Sequence, residues 1–261
     1  MNLRQCFATN NECYKRGARM TPRGVMVHST GANNPYLRRY VQPDDGALGV
    51  NPSRNDFNTY RPGGRQVCVH AFIGKLADGS IATYQTLPWT MRGWHAGGRA
   101  NDTHIGFEIC EDNLKDAAYF AAAYREAAEL AAYLCGAFGL DPQADGVLIC
   151  HSEGSRRGIA SNHGDVMHWF PRHGKSMDTF RADVARILHG ESEELNMTKE
   201  ELLSVAGTGD KPSAWAREAT AWAKENKIMN GDGEGNYGWD RPVTREALVT
   251  VLHNFKEYLG K

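Results

Sequence analysis

Five short apolar runs limit what this chain can fold into: GVMVH at 24–28, VCVHAFI at 67–73, SIATY at 80–84, HIGFEIC at 104–110 and GVLICH at 146–151. Each is β-branched or aromatic and bounded by Gly, Pro or Asp, which predicts strands. Asp78-Gly79, between the second and third runs, predicts a tight hairpin. A helix is predicted over 116–138, because Phe120, Tyr124, Ala127, Ala131, Leu134 and Phe138 fall on one stripe. Asp116 suits its start and Gly139 its end. A second helix is predicted over 177–188, with Ser176 as N-cap and Phe180, Val184, Ile187 and Leu188 on one face. The expected class is α/β, a mixed β-sheet flanked by helices, filling residues 1–190.

The 261 residues leave room for a further small module. Hydrophobic residues make up 41% and charged residues 23%, ordinary for a chain with a packed core. A formal net charge of -1 gives no argument for binding nucleic acid or anionic lipid. The amino terminus, MNLRQCFATNNECYKR, lacks the apolar stretch of a secretory signal, so synthesis in the cytoplasm is expected, with any export by another route. No run has the length and apolarity of a membrane span. The six cysteines form no C-x-x-C pair, which argues against a four-cysteine zinc site and for reduced core thiols.

The polar, acidic GESEELNM opens a linker over residues 191–199. A small helical module is expected over 200–261. Thr198 and Glu201 have capping-box spacing. Trp215, Ala219 and Trp222 line one helix; Leu248, Val251, Leu252, Phe255 and Leu259 line another. Between them, Asn230, Asp232 and Glu234 suggest a calcium loop, but its twelfth position is Arg241, not the glutamate an EF-hand needs.

The chemistry concentrates on the strands. His28 and His151 each end an apolar run, and Glu108 sits on a run between them. A strand end presents an imidazole to a cleft while the strand behind it stays packed. Two such histidines, one more ligand and a free carboxylate compose a hydrolytic zinc site. In HIGFEIC the side chains alternate, so Ile105, Phe107 and Ile109 face one way and Gly106, Glu108 and Cys110 the other. A mid-strand carboxylate among apolar residues needs a polar partner or a task. An ion pair with an arginine is the structural account; general-base duty toward a zinc-activated water is the functional one.

The chain resembles the zinc N-acetylmuramoyl-L-alanine amidases of the phage-lysozyme and peptidoglycan-recognition type, and their endolysin-like members most. The stretches that carry the resemblance are VMVHSTGANN (25–34), VHAFIGKLADGSIATYQTLPW (69–89), RGWHAGG (92–98), THIGFEICED (103–112), and ICHSEG through NHGDVMHWFP (149–171). It implies that His28 and His151 are zinc ligands and that the third follows His151 by several residues. Asp165 holds that place, with His163 and His168 as rivals. It implies Glu108 as the residue that activates water, and His163 as the oxyanion-stabilising group where relatives often have lysine. Val69 stands where some members carry a catalytic tyrosine, and GSRRGIASN lengthens the interval from His151 to Asp165.

The remaining readings concern the cleft. His95, Trp94 and Trp89 are candidate substrate contacts, with Trp169 a further flat face and His70 structural. Arg38, Arg39, Arg156 and Arg157 are candidates to hold peptide-stem carboxylates. Residues 212–258 resemble one S-layer homology repeat. That implies cell-wall carbohydrate as a partner and, for a lone repeat, oligomerisation. The implied activity is cleavage of the amide joining N-acetylmuramate to L-alanine in peptidoglycan, in an endolysin or autolysin. The alternative is a recognition protein that binds peptidoglycan without cutting. A zinc deaminase is excluded, because its H-x-E and P-C-x-x-C pattern is absent.

Overall fold

The computed structural model describes residues 1–59, 67–190, 212, 214–231, 237–239, 243 and 245–260. The sequence expectations for the linker, the Thr198–Glu201 cap, the Asp232 and Glu234 turn and the Trp215 side chain lie outside the described residues. The chain divides into two compact units, Met1–Ser192 and Glu193–Lys261.

In the first unit six strands form one sheet: β1 (Leu3–Gln5), β2 (Gly24–Ser29), β3 (Ala71–Lys75), β4 (Ile81–Gln85), β5 (His104–Ile109) and β6 (Leu148–Cys150). Their order is β1-β4-β3-β5-β2-β6. Only β3 and β4 pair antiparallel, joined by the Asp78-Gly79 turn with Gly79 at a φ of 88°. The other pairings are parallel, so the sheet is mixed.

The helices are α1 (Glu12–Arg16), α2 (Ala117–Phe138), α3 (His151–Arg156) and α4 (Met177–Leu188). The Asp116 carboxylate accepts from the Tyr119 amide at the start of α2, and Gly139 closes it in the left-handed conformation. Ser176 caps α4 in the same way. The α2 stripe packs on the sheet face carrying Val25, Val27, Ile105, Phe107 and Ile109, together with Phe180 and Val184 of α4. Fully burying such a side chain contributes about 1.5–3 kcal/mol, so this face holds the sheet rigid. The opposite face carries Met26, His28, Phe72 and Cys110. Leu37, Tyr40 and Leu48 cover part of it, and Ala96 and Ala100 cover another part.

Several boundaries differ from expectation. β3 starts at Ala71, not Val67, and β6 ends at Cys150. His151 therefore opens α3 instead of ending a strand, because the Glu153 carboxylate accepts from the Cys150 amide (3.1 Å) and turns the chain into a helix. All six cysteines are free thiols.

The second unit contains α5 (Arg217–Glu225) and α6 (Arg245–Leu259). Trp222 meets Phe255 and Tyr258 edge to face, at centroid distances of 6.4 and 5.4 Å. Ile228 is buried, and its carbonyl accepts from Asn254. No described helix is long and apolar enough to cross a membrane.

Candidate metal centre

β2 and β5 pair in register with His28 opposite Glu108, and β3 sets Phe72 on the other side of Glu108. Residues paired this way share a sheet face, which puts the Glu108 and His28 side chains on the same side. His151 follows β6, the strand on the far side of β2. Asp165 arrives on a segment anchored by the buried Val166, Trp169 and Phe170. The three side chains converge: His28 Nδ1 lies 3.0 Å from His151 Nδ1, and Asp165 Oδ2 lies 3.2 Å from the first and 3.6 Å from the second.

Hydrogen-bond partners fix which ring nitrogens carry hydrogen. His95 Nε2 lies 3.1 Å from the His104 main-chain oxygen, which can only accept. His95 therefore donates from Nε2 and accepts at Nδ1. Burial is the main reason its imidazole stays neutral, well below the usual histidine pKa, and the neighbouring His28 adds to the effect. His28 Nε2 is 2.9 Å from that Nδ1 and must donate to it. In neutral His28 the lone pair is then on Nδ1. Ser161 Oγ donates to the Ala96 carbonyl (3.2 Å) and accepts from His151 Nε2 (3.1 Å), so the His151 lone pair is also on Nδ1.

Two imidazole lone pairs and a carboxylate oxygen thus face one another. Burial lowers the His28 pKa, despite Asp165 beside it. A single cation placed among them satisfies all three acceptors at once. Zinc–ligand bonds of about 2.0–2.2 Å in a tetrahedral site place ligand atoms roughly 3.3–3.6 Å apart, close to the spacing here. Among the described residues, this trio is the one grouping of His, Cys, Asp or Glu with that convergence.

Comparison with known proteins gives the family and agrees with the fold. The family model for N-acetylmuramoyl-L-alanine amidase matches residues 18–171. The chain belongs to the N-acetylmuramoyl-L-alanine amidase family. A second model, the S-layer homology domain, matches residues 209–248. Among solved structures, the Staphylococcus aureus hydrolase AmiA in complex with its ligand is 20% identical, with a TM-score of 0.52 over 74% of this chain and 86% of that one; it supports the fold. A mutant endolysin from Bacillus subtilis is 22% identical, with a TM-score of 0.46 over 70% of this chain and 99% of that one. No curated protein matches the chain.

Within the amidase domain, the sequence candidates lie as follows. Asp165 joins the two histidines; its rivals face elsewhere. His168 Nε2 is 2.8 Å from Glu111 Oε1, and that buried carboxylate also accepts from the Gly31 amide. His163 is exposed, with its ring centroid 4.6 Å from that of His151 and Nδ1 3.1 Å from Ser161 Oγ. His95, a candidate substrate contact, is partly exposed, and its Nδ1 lies 2.9 Å from His28 Nε2. Trp89 packs against the main core and lies 6.5 Å from the His70 ring; Trp94 packs on a small cluster with Cys13, Cys68 and Met91. Both keep a partly accessible surface. Trp169 is wholly buried against Tyr119 and Phe120, which removes it from any cleft. His70 is structural: it bonds Met91 and Gly106 of the main chain, and burial lowers its pKa to about 4. Arg39 binds the Asn55 carbonyl, Arg38 lies over Tyr36, and Arg157 pairs with Asp145. Sequence reasoning missed Ser161 and Asn101. Each acts across a loop, and no periodicity reports that.

Proposed function

We propose that the chain is a zinc-dependent hydrolase that cuts the amide between N-acetylmuramic acid and L-alanine in peptidoglycan. The observation that carries this reading is the convergence of the His28 and His151 lone pairs with the Asp165 carboxylate, with Glu108 paired opposite His28 on the same sheet face. Bound by those three residues, zinc supplies Lewis acidity, bringing the pKa of a water toward neutrality and polarising the scissile carbonyl. Glu108 takes the proton of the attacking water and returns it to the leaving amine of L-alanine. His163, exposed at the rim, donates to the developing oxyanion when protonated. Trp94 and Trp89 offer apolar surface to the glycan or stem peptide.

A non-cutting recognition protein is the second reading. The intact trio and the neighbouring carboxylate favour cutting, because binding alone needs neither. Purified walls treated with the protein should release free amino groups with alanine at the new terminus and no new reducing sugars. A chelator should abolish the release. Reducing ends without new amino groups would exclude the amidase reading.

The S-layer homology unit supports a role in attaching the enzyme to cell-wall carbohydrate, with self-association compensating for a single repeat. Deleting residues 191–261 should reduce co-sedimentation with purified walls several-fold while soluble fragments are still cut. Equal sedimentation of the two forms would remove the targeting role. Release from the cytoplasm during lysis is the route to the wall that fits this reading.

A further inference from the structure

The WHAGG segment at 94–98 reaches both histidines of the trio on their far sides, His28 directly and His151 through Ser161. His95 Nδ1 receives the hydrogen of His28 Nε2 at 2.9 Å. The next residue, Ala96, offers its carbonyl to the Ser161 hydroxyl at 3.2 Å and to the Ser161 amide at 2.8 Å; Ser161 Oγ in turn receives His151 Nε2 at 3.1 Å. Two consecutive residues therefore determine the free nitrogen of both rings.

The segment is itself held rigidly. Asn101 Oδ1 accepts from the amides of His95 (3.0 Å) and Ala96 (2.8 Å), and the Asn101 side chain is buried. The His95 ring lies flat over Gly106 of β5, where a Cβ would come within 2.3 Å of its Nδ1. Gly97 has a φ of +64°, and a Cβ there would meet Ser161 Oγ at 2.7 Å. These absent side chains create the space in which the bracket closes. The strand glycine and the loop glycine both serve the rings, not the turn alone.

We propose that the 94–98 segment is a positioning bracket, in which His95 and the Ala96–Ser161 pair lock His28 and His151 in the tautomer that presents Nδ1 to the metal. This rests on the zinc reading above. In this bracket His95 and Ser161 each act through the ligand they orient. A neutral imidazole divides its hydrogen between two tautomers, and only one of them leaves Nδ1 free. An outer partner that removes this choice raises affinity, and losing one commonly costs about 10–100-fold in metal binding.

The test compares the full-length protein with Ser161→Ala, His95→Leu and His95→Asn, using chelator competition for zinc affinity and nitrogen-15 NMR of the histidine rings for tautomer. Circular dichroism confirms that each variant is folded. Ser161→Ala should lose about 10-fold or more in zinc affinity and show mixed tautomers at His151 alone. His95→Leu should do the same at His28, while His95→Asn, whose side-chain oxygen retains an acceptor near the position of Nδ1, should recover much of the loss. If wild type binds zinc but folded Ser161→Ala and His95→Leu bind it equally well with unchanged tautomers, the bracket is overturned. If wild type itself binds no zinc, and His28→Ala changes nothing, the zinc reading fails instead.

Discussion

Glu108→Gln is expected to keep one zinc per chain and to lose turnover by about 10²–10⁴-fold, the usual contribution of a positioned general base. Glutamine nearly preserves the shape of the side chain, so the β2–β5 pairing survives and only the proton acceptor is removed. The expectation follows from register. Glu108 is the β5 residue directly opposite His28, and paired strands run roughly 4.8 Å apart, so the two residues are neighbours on one sheet face. Metal content by elemental analysis and release of amino groups from walls measure the two halves separately. Loss of zinc in this variant would make Glu108 a ligand, and undiminished turnover would remove it from the chemistry.

Asp165→Ala is expected to lose zinc affinity by more than the roughly 100-fold upper range of outer-shell changes, and to lose activity with it. Two neutral imidazoles remain, with no carboxylate to balance the charge of the cation or complete three protein ligands. The segment that carries Asp165 is anchored by Val166, Trp169 and Phe170, all buried, so the variant should stay folded. His168→Ala, by contrast, should leave zinc affinity near wild type, because its ring faces Glu111. The pair discriminates sharply: equal losses in both variants would contradict the placement of Asp165 at the centre.

What could be read from the sequence divides along physical lines. The alternation in HIGFEIC correctly separated Ile105, Phe107 and Ile109, which pack on the helices, from Glu108 and Cys110 on the other face. That works because a strand's period of two is a local property. The caps of α2 and α4 were legible for the same reason. The end of β6 was missed although Glu153, three residues after Cys150, carried a signal: a side chain bonding back to the main chain overrode the β-branched run before it. β1 and α1 were missed because three and five residues are too few to show a period. The placement of His95 beside His28 had no local signal. It depends on Gly106 leaving open a strand surface that the ring then fills, a contact between segments 11 residues apart. Trp169 was misread because its apolar partners, Tyr119 and Phe120, come from a distant helix.

The central claim is that one metal ion, held by His28, His151 and Asp165, makes this sheet face hydrolytic. The most direct measurement is a zinc titration of the chelator-stripped protein, following release of amino groups from purified peptidoglycan. The account predicts no activity in the stripped protein, a linear rise with added zinc and a plateau at one equivalent per chain. Full activity in the stripped protein, or a rise that requires no intact His28 and Asp165, would contradict it.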